Sequence, residues 1–428
     1  MLDITRIRLP RYSRKIMYSI LLLAIVFLVN YNLSILLLAL VFLIIYNFVP
    51  RKPVLSSHKL TIFENDYVKV EKVGDIRRLA VSYVRDNVLY ATEDHFIYRS
   101  SNNGESFSCL GHIKKVNPTL LDRIKDFVAR LRISRNIRKN FGANQVVVLG
   151  SGTILVFFDH IYRSTNGGLS FSPVFSFIGS VPLDKGIAVD KNDNVYFGEY
   201  DCTKRPNKPR IFRGQADGTR WEVCYEFPEG KVFHVHSIKY DHYRDRLWIC
   251  TGDRDKESNL MYTDDNFKRL SVLGGGDQGW RIVSLIPTDD FLYWGSDDDQ
   301  AGASIYRFNF SNGTREKLVF IGKPSYYATK LKDGTLIIST TYEPESYFTI
   351  KDNPEPATDI WISKDGRIWF KILTLPQRKF KTPFGYSRAR IALPAGDYSS
   401  ELLFFTPKST LDADFTFQKY CINWKTNA

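Results

Sequence analysis

Two histidines stand one residue apart in the run Phe233-His234-Val235-His236. Side chains alternate along a strand, so this spacing turns both imidazoles to one side. Two of the seven histidines in the chain on one face could share a divalent metal, or one could act as a general base. A structural pair of hydrogen-bonded strand histidines is the alternative, and no other cofactor is indicated. Glu199 and Tyr200, in Phe197-Gly198-Glu199-Tyr200-Asp201, and Asp253, in Thr251-Gly252-Asp253, complete a candidate acid–base set with His234 and His236. Gln278, Trp280 and Arg281 fall in one short run, and Trp294 and Asp297 in another. With Tyr327, Arg388 and Arg77 (or its neighbour Arg78) they form a candidate substrate-contact set. Arginines from three distant stretches could converge on a carboxylate, whose two oxygens a guanidinium matches. Convergence of His234, His236, Glu199, Arg281 and Arg388 in one pocket is the condition for an enzyme. A spread around a rim would instead mean a binding module.

Those residues need a scaffold, and a repeat points to one. Ile97-Tyr98-Arg99-Ser100 is followed by Asn102, Gly104 and Phe107; Ile161-Tyr162-Arg163-Ser164 is followed by Asn166, Gly168 and Phe171. Ile211-Phe212-Arg213-Gly214 leads to Gly218 and Trp221, with weaker echoes at Thr263 and Asp265, at Ile305-Tyr306-Arg307, and at Ser363, Asp365 and Phe370. Copies recur roughly every 45 to 65 residues, the blade period of a four-stranded propeller. Ser and Asn or Asp satisfy backbone groups in a tight turn, Gly takes the unusual backbone angle, and the aromatic packs between sheets. Seven candidate inner strands follow, at 76–83, 145–149, 186–189, 232–240, 281–286, 326–331 and 388–393. The expected fold is therefore an all-β propeller of about seven blades. A strand from about residues 60–70 is expected to close the ring with the last blade, because closure removes exposed edges.

The order Ser, any residue, Asp or Asn, any residue, Gly, any residue, Ser or Thr, aromatic resembles the Asp box, or BNR repeat, of sialidase-like β-propellers. Ser100 to Phe107 and Ser164 to Phe171 match throughout, and Gly218 and Trp221 match the second half. At Ser363 the usual glycine position is Arg367. The resemblance implies the fold from about residue 57 onward. It also implies a sialidase-like hydrolase that grips a sugar carboxylate with three arginines and uses a Tyr/Glu pair and an Asp. The histidine pair and the lack of an Arg-Ile-Pro start depart from that pattern. Propeller polysaccharide lyases fit the histidines better by fold-level analogy. They neutralise a uronic acid carboxylate, supply a base for the C5 proton and an acid for the leaving oxygen, and some hold a metal through histidines.

The domain layout begins with a basic tail, 1–15. Residues 16–49 are almost wholly apolar, broken at Asn30-Tyr31-Asn32, which predicts a transmembrane anchor as one span or a hairpin. Residues 50–72 form a linker and ring-closing strand, and 73–428 the propeller. An insertion at about 113–140 reads as a basic amphipathic helix, for a membrane surface or the propeller rim. Arginines and lysine precede the apolar run, so a single span puts the propeller outside, whereas a hairpin leaves it at the cytoplasmic face. The formal charge of +13 favours anionic partners. None of the five cysteines has metal-ligand spacing, and buried free thiols are expected. No phosphate-binding glycine loop, Gly-x-Ser-x-Gly elbow or nucleic-acid module is present. Together these predict a membrane-anchored propeller that cleaves or modifies an acidic glycan, as glycoside hydrolase or polysaccharide lyase. The alternatives are a non-catalytic glycan-binding or assembly propeller and, third, a glycosyl transferase.

Overall fold

A computed structural model describes residues 52–120, 123, 145–178, 180–200, 207–379, 381–382, 385–396 and 400–425. The expected anchor, and most of the inserted helix, lie outside the described residues. Among the described residues no helix is long and apolar enough to cross a membrane.

The chain from 52 onward, without 119–139, is built of antiparallel sheets. Four sheets are meanders of four strands. They run from Gln145–Val148 to Ser172–Ser176, from Ala188–Val189 to Trp221–Glu226, from His234–Asp241 to Ser271–Gly275, and from Ile282–Pro287 to Thr314–Phe320. A fifth runs from Ala80–Arg85 to Ser108–His112 and gains the two-residue strand Ala395–Gly396 in parallel at its inner edge. The remaining large sheet has nine strands, because Leu336–Tyr342 pairs with Ala389–Ala392 through Thr341↔Arg390 and Tyr342↔Ala389.

Burial explains the order within each sheet. Second strands such as Leu336–Tyr342 and Val195–Gly198 are buried along their whole length. They read as unbroken apolar or small-residue runs because both faces meet neighbouring sheets. Fourth strands such as Ser172–Ser176 and Trp221–Glu226 are largely half-buried or exposed. First strands of successive sheets lie against one another. His234–Asp241 touches Ala188–Val189 and Ile282–Pro287, and Ile282–Pro287 touches Ser325–Lys330. Most lie within a residue or two of the expected inner strands. The expected strand 76–83 is instead broken, since Arg78 takes a φ of 61° and divides Val68–Arg77 from Ala80–Arg85. Val68–Arg77 pairs antiparallel with the C-terminal Thr416–Trp424, from Val68↔Trp424 to Arg77↔Thr416, and Ser56–Glu64 covers its other edge.

The repeated turns share one hydrogen-bond pattern. The Ser100 hydroxyl accepts from Gly104 N at 3.0 Å and donates to Asn102, whose Oδ1 accepts from Ser106 N. Ser164, Asn166, Gly168 and Ser170 repeat it. Thr263 and Asp265 do so as well, with Phe267 rather than glycine at φ 66°. At Ser363 the turn is one residue shorter. Gly366, not Arg367, takes the positive φ and donates to Ser363. Cys109, Cys224, Cys250 and Cys421 are free thiols, and burial pushes those of Cys224 and Cys250 up to about 12.

Candidate functional site

Four successive sheets end their second strand in an acid: Glu199, Asp253, Asp297 and Glu343. The same meander geometry places each near the inner end of its sheet. What differs is the partner each acid meets.

Asp253 meets the histidines. His234 Nε2 lies 3.2 Å and His236 Nε2 3.4 Å from its Oδ1. The three could hold a metal ion, their ligand atoms all lying within 4.8 Å of one another. The rings are buried, their centroids 4.8 Å apart, and the Tyr200 ring lies 4.2 Å from that of His234. Gly252 makes room for them, since a Cβ there would meet His236 Cε1 at 2.5 Å. His236 Nδ1 sits 2.9 Å from the carbonyl oxygen of Ile282. That oxygen can only accept, so Nδ1 carries the proton. Burial lowers the His236 pKa to about 4, so the ring is neutral near pH 7 and its Nε2 is a lone pair. That nitrogen faces the Asp253 carboxyl, which burial would push up but His234 and Arg281 hold well below the usual range. Arg281 Nη2, 3.3 Å from the same Oδ1, is one cation beside them, and a metal ion would be another. Two imidazoles and a carboxylate are donors that suit a first-row divalent ion, and the backbone bond to Nδ1 is the usual outer support for such a ligand.

Arg281 ties this group to the next sheet. Its Nη2 is 3.3 Å from Asp253, its Nε 3.1 Å from Asp297 Oδ2, and its Nη1 donates to Asp299 at 2.8 Å. Gln278 braces the same corner, donating to the Asp253 carbonyl at 3.0 Å and to Asp255 at 2.7 Å. Burial would pull the guanidinium down, but Asp297, Asp253 and Asp299 hold it firmly protonated. Asp297 is itself buried, its carboxyl pushed up well above the ordinary range, and its Oδ1 has no hydrogen-bond partner. Glu343 adds to that upward push and is likewise raised by burial. Tyr326 donates its hydroxyl to Glu343 Oε1; Arg388 Nη1 lies 2.8 Å from the same oxygen and 3.3 Å from the Tyr326 hydroxyl. Arg388 Nε donates to Glu345 at 2.6 Å, and its side chain is 42% exposed, so this end opens to solvent.

Of the expected residues, His234, His236, Tyr200, Asp253, Gln278, Arg281, Asp297 and Arg388 thus lie in one polar array. Others lie elsewhere. Glu199 is paired with Arg210, which donates to it from its backbone, Nε (3.0 Å) and Nη2 (2.6 Å). Trp294 is fully buried and Trp280 nearly so; the rings stack at 5.3 Å in the core, so they pack sheets instead of contacting a ligand. Arg77 is exposed at the end of Val68–Arg77. Tyr327 donates to Asp184 at 3.1 Å, in a different cluster. Asp299, Glu343 and Glu345 were not expected, although Glu343 ends an apolar strand just as Asp253 and Asp297 do.

No family model and no curated protein matches this chain. Among solved structures, an oligogalacturonate lyase in complex with manganese is similar over 88% of this chain and 98% of its own, with 9% identity and a TM-score of 0.54. YCF48 bound to a D1 peptide is similar over 86% of this chain and 99% of its own, with 11% identity and a TM-score of 0.50. A GH74 enzyme of Niastella koreensis covers 69% of this chain and 45% of its own, with 13% identity and a TM-score of 0.45. The first two are β-propellers, and at these identities the likeness concerns architecture: this chain has the β-propeller fold.

Proposed function

We propose that this propeller is a metal-dependent polysaccharide lyase acting on a uronic-acid glycan. The observation that carries the reading is the convergence of His234, His236 and Asp253, whose ligand atoms all lie within 4.8 Å of one another. His234, His236 and Asp253 would hold the cation, and when bound it would draw charge from a substrate carboxylate and so acidify the neighbouring C–H. The array around them holds five carboxyl groups (Asp253, Asp297, Asp299, Glu343, Glu345) against two guanidiniums, and burial raises Asp297 and Glu343 towards their neutral forms. A bound cation would add positive charge that favours an acidic sugar.

The chain's own groups supply the rest. Arg281 fixes Asp253 in place. In elimination the C5 proton leaves, the C4–O bond breaks, a C4=C5 double bond forms and the leaving oxygen gains a proton. Glu343 and Tyr326 share a hydrogen bond at the open end, and they are the candidates to take the first proton and to give the second. Arg388 favours the ionised form of Glu343 against burial while leaving that end accessible. The oligogalacturonate lyase with manganese, similar in fold over nearly its whole length, supports the same combination of chemistry and metal.

A second reading rests on Tyr326 and Glu343 alone. A hydrogen-bonded Tyr/Glu pair beside arginines also suits sialidase-like hydrolysis. The test is incubation of the full-length chain with oligogalacturonate and with sialylated glycan, with manganese or with chelator. Ultraviolet absorbance from a new double bond, lost with chelator, is expected. Reducing ends without that absorbance would favour hydrolysis, and retained binding without either product would favour a binding module. In the same reading the nine-stranded sheet counts as two blades, giving seven, and residues 16–49 anchor the propeller as a single span that leaves it outside the cell. Protease protection of intact membranes would decide that orientation.

A further inference from the structure

We infer that the propeller interior holds a second site, which binds a small oxyanion. Asp184 and Lys185 precede the short strand Ala188–Val189, Tyr327 lies in Ser325–Lys330, Arg390 in Ala389–Ala392, and Lys408 ends Leu402–Lys408. Lys408 Nζ lies 3.4 Å and the Tyr327 hydroxyl 3.1 Å from Asp184 Oδ2, and Lys185 Nζ lies 3.6 Å from Oδ1. Arg390 acts on the same carboxylate. Both lysine side chains are only 9% exposed.

Three cations thus surround one carboxylate. Asp184 is ionised, since Lys185, Lys408 and Arg390 hold it far below the usual range despite burial. It neutralises one of the three cations, and burial lowers the pKa of both lysines, because unpaired charge in a poorly solvated place is costly. Unmet donors adjoin the cluster. Gln145 accepts from Lys185 N through Oε1, but among the described residues its Nε2 is buried without a hydrogen-bond partner, as is Arg390 Nε; the unmet acceptor there is Asp184 Oδ1, 3.6 Å from Lys185 Nζ. A cavity adjoins the cluster, lined by Lys185, Lys239, Tyr327, Ser237 and Ser284 among others, and no carboxylate lines it. A carboxylate or phosphate would meet this demand, offering several acceptor oxygens and negative charge at once. The site is separate from the histidine cluster and does not depend on its metal.

The test is calorimetric titration of the full-length chain with galacturonate monosaccharide and with inorganic phosphate, in the presence of chelator. Saturable binding of at least one anion is expected, weakened about tenfold or more in Lys408→Met, the scale of one lost charge-assisted bond. Arg390→Gln serves as the second variant should Lys408→Met fail to fold. Galacturonate binding alone would identify a uronate subsite, and binding of both a general oxyanion site. Absence of saturable binding to the wild-type chain, binding that disappears with chelator, or undiminished affinity in the folded variants would overturn the inference.

Discussion

Tyr326 donates to Glu343, in a group where five carboxyl groups face two guanidiniums; Tyr327 donates to Asp184, where three cations face one carboxylate. The two tyrosines are adjacent on the strand Ser325–Lys330. A break in register between Ser325 and Tyr327 falls at Tyr326, and the two hydroxyls meet different carboxyls, so one inner strand serves two regions of opposite electrostatic demand. The scaffold sets where each side chain ends, and the residue types set which ion would complete each region. The acidic region holds more carboxyl groups than cations and includes a neutral imidazole. The basic region holds more cations than carboxylates and includes unmet donors at Gln145 and Arg390.

Breaking the acidic region should have the largest effect. Asp253→Ala removes the shared oxygen of His234, His236 and Arg281. Loss of manganese-dependent double-bond formation by more than roughly 100-fold is expected, because even outer supports of metal ligands are worth about 10- to 100-fold. Calorimetry with manganese should show the same loss, and circular dichroism would verify the fold. A variant that still eliminated at the wild-type rate would remove the cluster from the chemistry. Tyr326→Phe comes next. It keeps the ring and deletes the hydroxyl shared with Glu343 and Arg388. A fall in kcat of about 100-fold or more is expected for a proton-transferring group, with little change in manganese affinity. Equal losses in both would instead mean that Tyr326 merely supports the metal ligands.

The basic region can be read through pH. Burial, with Arg390 and Lys185 in support, depresses the Lys408 pKa from 10.5 to about 8, against the pull of Asp184. Below pH 8 the lysine is protonated in both folded and unfolded chains, and its burial as a cation weakens the fold. Between about 8 and 10.5 the folded chain releases the proton while the unfolded chain keeps it, so stability rises with pH. The gain is on the order of 3 kcal/mol. Urea midpoints measured from pH 7 to 10.5 should rise in the wild-type chain and stay nearly level in Lys408→Met, after allowance for other groups. A saturating anion should flatten the wild-type profile, since it favours the protonated lysine. A falling midpoint over that window would contradict the charge surplus.

The two regions were unequally legible in the sequence. The scaffold was readable because its signals are local. The Ser, Asn and Gly of each turn satisfy one another within five residues, and the apolar second strands are continuous. His234 and His236 were readable for the same reason, since one intervening residue fixes a shared face. Asp253 and Arg281 come together only across two sheets, and their types and nearby runs sufficed to nominate them. Trp280 and Trp294 misled because an aromatic in a polar run looks the same whether it stacks on a sugar or on its neighbour. Glu343 was missed, although the step from an apolar strand into an acid occurs at Glu199, Asp253 and Asp297 too. The basic cluster left no trace, because Asp184, Lys185, Arg390 and Lys408 come from three distant segments. Each reads as an ordinary surface charge until the ring closes.

That recurring acid gives the sharpest control, with the smallest expected effect. Glu199 occupies the same structural position as Asp253 and Glu343 yet is committed to Arg210 through three hydrogen bonds. Glu199→Gln keeps the shape and removes the charge. Arg210 is partly exposed, so water can replace part of what it loses, and the cost in stability should be about 1 to 3 kcal/mol. Elimination rate and manganese affinity should stay within about twofold of the wild-type values, because the carboxyl bonds only to Arg210 among the described residues, the link of Glu199 to the histidine strand is a backbone bond from Val235 N that the substitution keeps, and a transmitted shift of that size is worth under half a kcal/mol. If Glu199→Gln abolished activity while preserving the fold, the acids at the strand ends would act as one set. The separation of a structural acid from the site acids, on which the acidic region is defined, would then fail.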